Sequence, residues 1–269
     1  DRYGRLEEMT APELAPYHSS KARGEFTHYG DQALVLLESV ASQKRFDPVH
    51  FLSAWRKMND GYTGYVDSAT KETLHNLASE PQADPPGSMS SDLSGAARIA
   101  PLALIYSADP DGFTAAARAQ AALTHNQSVV LDTASLLAWS ACLVFEGTAP
   151  AAAVEKSLEQ IPADSPVREL VNAGLDSAAM ETKDAIKQFG QMCSVQGALP
   201  STIHLIVRYE TDLKQALVEN IMAGGDSSAR GLAAGFILGA HLGLEQAPEA
   251  WLADMKACQK IADLVEPFG

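Results

Sequence analysis

Gly224-Gly225-Asp226-Ser227-Ser228-Ala229-Arg230 sets two glycines, a carboxylate, two hydroxyls and a guanidinium within seven residues. The glycines permit a tight turn, and an aspartate directly after them can cap the helix that follows. A helix opening at Ser227 also aims backbone N–H groups at whatever sits before it, which suits an anion. Gly224, Gly225 and Ser227 are therefore candidate ligand-binding residues, although a capped helix in a crowded core would read the same way. Arg230 follows Asp226 by four residues, the spacing at which helical side chains meet, so it could pair with Asp226 or Asp31 and supply fixed positive charge.

A hard cation such as Mg²⁺ asks for about six oxygens, with one or two of them usually protein carboxylates. Asp226 therefore needs company. Asp31, in Thr27-His28-Tyr29-Gly30-Asp31-Gln32, is the first candidate, and Glu7 or Glu8 the next. Asp31 could equally be a helix N-cap. Arg98, after the small-residue stretch Ser94-Gly95-Ala96-Ala97, could clamp a phosphate or sit in a salt bridge. His125, in Thr124-His125-Asn126, is a ligand contact or a structural histidine between two helices. Trp55, Trp139 and Trp251 read as core. Neither GxSxG, a P-loop nor HExxH is present.

The chain around these residues has 269 positions, 46% of them hydrophobic, enough for a substantial core. A net charge of −14 argues against a broad nucleic-acid surface and against binding to anionic membranes, while leaving room for a local basic pocket. Cys142, Cys193 and Cys258 are odd in number and form no CxxC, so buried, reduced cysteines are expected. No apolar run is expected to reach the ~18 residues of a membrane span. No signal peptide is visible, and the cytoplasm is the expected compartment.

Helical periodicity dominates. Ala33, Leu34, Leu37, Val40 and Ala41 predict a helix from Asp31, and Phe51, Leu52, Trp55 and Met58 a second one with Pro48 in its first turn. Pro81 to Asp92 is a loop, followed by an Ala-rich helical half. Asp212 and Gln215 have capping-box spacing. Ser227 to Leu242 predicts a helix whose Gly231, Gly235 and Gly239 imply close approach of neighbouring backbones. Thr202 to Tyr209 is the one β-branched run. The expectation is an all-α, compact, multi-helix orthogonal bundle with one domain over 1–269.

Five segments, in order, resemble the ADP-ribosylglycohydrolase family, the all-α fold of dinitrogenase-reductase-activating glycohydrolase. They are Asp1-Arg2-Tyr3-Gly4 running to Glu8; Gly30-Asp31-Gln32-Ala33; Ser94 to Pro101; Thr124-His125-Asn126; and Gly224-Gly225-Asp226 with its small-residue helix before Trp251. The family's opening helix is not seen before Asp1. The resemblance implies hydrolysis of an N- or O-glycosidic bond to ADP-ribose or a related nucleotide ribose, with ADP-ribose-like molecules or ADP-ribosylated proteins as partners. Glu8 would be the catalytic carboxylate, with Asp31 assisting. Ser94, Gly95, Arg98 and His125 would line the ligand site. The resemblance also implies two Mg²⁺ ions. Asp31 and Asp226 are the carboxylates retained from that ligand set, Gln32 and Ser228 keep a neutral oxygen, and Gly30 and Ala229 offer none. One weakly held ion at most is therefore expected. Loss of the metal site would instead leave a non-catalytic ligand-binding or crystallin-like structural protein.

Overall fold

A computed structural model describes residues 20–80 and 82–269. Glu8, and with it the first of the five segments, lies outside these residues. In chain order the helices are α1 (His28–Gln43), α2 (Pro48–Asn59), α3 (Ser68–Ser79), α4 (Ser94–Ala97), α5 (Ala103–Tyr106), α6 (Pro110–Ala122), α7 (Ser128–Phe145) and α8 (Pro150–Ser157). They continue with α9 (Val167–Asp176), α10 (Thr182–Phe189), α11 (Val195–Arg208), α12 (Leu213–Met222), α13 (Ser227–Leu242), α14 (Glu249–Asp254) and α15 (Cys258–Val265). Among the described residues there is no strand, only isolated bridges between Ser88 and His125 and between Asp92 and Ser194. The architecture is all-α, as expected.

Local chemistry sets many of the boundaries. Asp47, Asp67, Asp109 and Asp212 each accept backbone N–H bonds at the start of α2, α3, α6 and α12. Pro48 and Pro110 occupy first-turn positions whose N–H would have no partner. Helix α1 starts at His28, before the expected Asp31, because the extended Thr27 ends the preceding strap. Asp31 lies inside the first turn, where a carboxylate favours the helix dipole. The β-branched run is helical too: Thr202 to Arg208 belongs to α11, which tolerates Pro200 while burying residues on every side.

Helix α7 is the centre of the core and packs against α6, α8 and α13. Its 18 residues and mean hydropathy of 1.7 reach the length and apolarity of a membrane span, contrary to the sequence expectation, but 72% of it is buried within the protein. The small residues Ala134, Ala138 and Ala141 let its neighbours approach. Phe113 of α6 is fully buried, and its ring centroid lies 6.3 Å from that of Phe236 on α13. Trp55 is core as expected, whereas Trp251 is 36% exposed because α14 lies at the surface. The α13 glycines do not meet a neighbouring backbone. A Cβ on Gly231 or Gly235 would touch side chains of α12, and one on Gly239 would touch nothing.

Two core histidines are held neutral. His204 lies between Ser177 Oγ at 2.8 Å and Thr182 Oγ1 at 3.1 Å, and burial pushes its pKa down to about 4. His125 lies beside Thr124 Oγ1, 2.9 Å from Nδ1, and burial together with the Arg98 charge lowers its pKa to about 3.

Two outcomes are expected. Phe113→Ala should lower stability by about 3–5 kcal/mol in urea denaturation, since it empties a ring-sized volume in the core. Because both histidine pKa values are depressed on folding, the unfolded chain takes up protons first as pH falls below ~6.5. Each histidine should therefore cost about 2 kcal/mol by pH 5, and replacing His204 with Asn should visibly flatten the fall of melting temperature between pH 7 and pH 5.

Candidate functional site

Three loops meet at the N-terminal ends of α4, α11 and α13, and backbone hydrogen bonds lace them together. Leu93 N–H donates to Cys193 O at 2.9 Å, Val195 N–H to Ser91 O at 2.8 Å, and Asp226 N–H to Gln191 O at 2.9 Å. Gly225 has φ +70°, and a Cβ there would lie 2.2 Å from the Gln191 carbonyl oxygen, so only glycine fits this crossing. The lacing gathers Asp92, Cys193 and Asp226, whose ligand atoms lie within 4.8 Å of one another.

Tyr29 of α1 closes this group. Its hydroxyl donates to Asp226 Oδ2 at 2.8 Å and lies 3.3 Å from Asp92 Oδ2. Asp226 thus heads α13 without capping it; the carboxylate is turned across to α1. Burial, then the Asp92 and Asp226 charges, push the Tyr29 phenol far above its ordinary pKa. Burial also raises the Asp92 carboxyl, partly opposed by the Ser94 N–H at 2.8 Å from Oδ1. The Cys193 thiol is pushed up to about 12 by burial and then by Asp92. Next to Tyr29 opens a cavity of about 550 Å³, lined largely by apolar groups including Leu34, Pro101 and Ile261, with Gly30 and Ser228 at its wall. That volume suits a small-molecule ligand.

Asp31 stands apart from this group. Lys21 Nζ and the Tyr62 hydroxyl both donate to its Oδ2, each at 2.5 Å. Its neighbour Gln32 is also engaged: Oε1 accepts from Trp55 Nε1 at 2.9 Å and from Arg98 Nη1 at 2.6 Å.

The remaining sequence candidates lie in or behind the wall. Arg98 is no phosphate clamp. It is 1% exposed, and its nitrogens donate to Gln120, Gln32 and Thr124, which leaves the guanidinium pointing into the core. Desolvation lowers its pKa to about 10. His125 is likewise a buried structural residue, and the His125 ring fills the space a Cβ on Gly95 would need. Ser94 and Gly95 are buried, and Ser94 serves the site indirectly by holding Asp92. Arg230 does not pair with Asp226 or Asp31. It is fully buried and donates to Asn220 Oδ1 at 2.9 Å and Gly224 O at 2.6 Å, bracing the glycine turn from behind. Gly224, with φ +74°, shapes that turn, and Ser227 N–H bonds back to Gly225 O at 3.0 Å.

Asp92, Cys193 and Asp226 could together hold a single metal ion. The described residues do not fit a pair of Mg²⁺ ions, because one set contains a thiol, Asp31 is bonded by Lys21 and Tyr62, and Gln32 is spent on Trp55 and Arg98. Sequence reasoning missed Asp92, Cys193 and Tyr29. Asp92 ends a serine-rich loop, two residues before Ser94, a spacing that fits an Asx turn. For Cys193 the sequence carries no signal, because only the crossing at Gly225 brings it in.

A sequence model of the ADP-ribosylglycohydrolase family matches residues 2–268. The chain is 26% identical to human ADP-ribosylhydrolase ARH3 over 91% of its own length and 79% of that protein. The mouse ADP-ribosylhydrolase ARH3 gives 25% identity over 91% of this chain and 78% of the other. A solved structure described as an ADP-ribosylglycohydrolase-related protein complex superposes with a TM-score of 0.71 at 24% identity, covering 91% of this chain and 81% of that one. With the motif order, the all-α bundle and the family match extending over nearly every residue, this chain belongs to the ADP-ribosylglycohydrolase family.

Proposed function

We propose that the protein hydrolyses an N- or O-glycosidic bond to ADP-ribose or a related nucleotide ribose, with the ribose held against Asp226. The observation that carries this reading is the Tyr29–Asp226–Asp92 group beside a 550 Å³ cavity. Cleavage at an anomeric carbon passes through an oxocarbenium-like state that a nearby carboxylate stabilises. Asp226 has that role. One of its oxygens is fixed by Tyr29; as the leaving-group atom departs with the bonding electron pair and takes up a proton from solvent, water bonds to the anomeric carbon and the carboxylate takes the proton that water loses. Asp31, held by Lys21 and Tyr62 apart from this group, is assigned an assisting role on the family resemblance alone, as is Glu8. A single divalent ion, Mg²⁺ or another, would be held by Asp226, Asp92 and Cys193.

The pairing of Lys21 with Asp31 favours a second reading, in which the cleft binds an ADP-ribose-like molecule without turning it over. One experiment separates the two. ADP-ribose release from ADP-ribosylated protein and from small ADP-ribosyl conjugates is measured, alongside calorimetric binding of free ADP-ribose. Release that falls about 100-fold in Asp226→Asn, at unchanged melting temperature, is the expected outcome. Binding without release would leave the second reading; neither would remove both.

A further inference from the structure

The strap of residues 20–27 leads into α1 and is fastened to the far end of the chain. Lys256 N–H donates to Gly24 O at 2.9 Å, Lys256 Nζ reaches Glu25 Oε1 at 3.1 Å, and Arg23 pairs with Asp254. Gly24 has φ +79°, and a Cβ there would lie 1.9 Å from the Asp254 carbonyl oxygen, so the strap lies tightly on the turn between α14 and α15. Within the strap, Glu25 Oε2 accepts Ala22 N–H at 2.8 Å and fixes the backbone next to Lys21. This fastening delivers one ammonium group to one carboxylate oxygen: Lys21 Nζ and the Tyr62 hydroxyl share Asp31 Oδ2, and the ammonium lies 5.1 Å from the centroid of the Tyr62 ring. Both partners are mostly covered, at 19% and 23% side-chain exposure.

We propose that Lys21 is a tethered counter-ion that occupies the cation position of Asp31 and keeps divalent ions off that carboxylate. Three features support this. A partly buried ammonium in direct contact neutralises the carboxylate with little screening by salt. Its tether gives it a high effective concentration, in the millimolar range for short connections, so a free ion must displace a partner that never diffuses away. The oxygen it uses is also taken by a hydroxyl, which among the described residues leaves Asp31 one unengaged oxygen, a poor basis for a six-coordinate ion. The residues that would complete an ion site point the same way, since Gln32 is spent on Trp55 and Arg98. This inference rests on ion binding at Asp31 and not on the turnover proposed above, so either can fail alone.

The test is Mn²⁺ binding, followed by calorimetry and by the spin-resonance signal of free Mn²⁺, in the wild-type chain, Lys21→Met, Asp31→Asn and the double variant. Lys21→Met should gain a Mn²⁺ site roughly ten-fold tighter or more than any Asp31-dependent site in the wild type, and Asp31→Asn should abolish the gain. If Lys21→Met fails to fold, Lys21→Gln, which keeps a hydrogen bond without the charge, is measured instead. Either of two results overturns the proposal: no gain in a variant with wild-type melting behaviour, or a wild-type Mn²⁺ site already lost in Asp31→Asn.

Discussion

A guanidinium sealed in the core with no carboxylate in hydrogen-bond contact is the constraint around which this molecule is arranged. Arg98 carries its charge at 1% exposure and satisfies it with three neutral oxygens, from Gln32 on α1, Gln120 on α6 and Thr124 after α6. Burying an unpaired charge is costly, so each acceptor has to be in place. That requirement ties together the elements that frame the cleft. It fixes the rotation of α1, which sets where Tyr29 and Asp31 point, and it holds α4, whose first residue positions Asp92. Gln120 extends the same network by donating to Gly95 O at 2.9 Å. The site is therefore built on the outer side of a buried polar network, and Gln32 and His125 belong to the network.

This arrangement decides which of the described oxygens are left to meet an ion. A residue that coordinates an ion has to keep its oxygen free. Here the oxygen of Gln32 faces inward to Trp55 and Arg98, and that of Asp31 faces a lysine and a tyrosine. On the other side, Asp226 has exchanged helix capping for a bond to Tyr29. The positive charge beside the first carboxylate comes from Lys21, in the strap, and Arg230 is used as a brace for the glycine turn.

Much of the fold was legible in the sequence because it rests on local rules. The end of α13 follows from Gly243, the start of α2 from Asp47 and Pro48, and the start of α12 from Asp212. The apolar periodicity of α1 and α2 places Val40 and Trp55 inside. The site was legible only in part. Asp226 and Asp31 stand out as acids beside glycine, but their partners come from distant segments. Cys193 is brought in by the crossing of Gly225 over Gln191, and Lys21 by a strap fastened to residues 254–256. Arg98 and His125 were left with two readings each for a related reason. A polar side chain in a small-residue segment looks the same whether it faces a ligand or a core that supplies Gln120 and Thr124, and that choice depends on tertiary packing.

The fastening of the strap also has a consequence for biosynthesis. Arg23 and Asp254 are 231 positions apart, so the contacts that seat the strap are among the most non-local in the molecule. A ribosome releases the segment around Gly24 long before it makes Asp254 and Lys256. The emerging chain can assemble α6, α7 and α11 while the strap still lacks its partners at residues 254–256, and such long-range closures form late. For most of its synthesis the nascent protein therefore carries a strap without its C-terminal fastening, and that fastening forms only when the last helices dock.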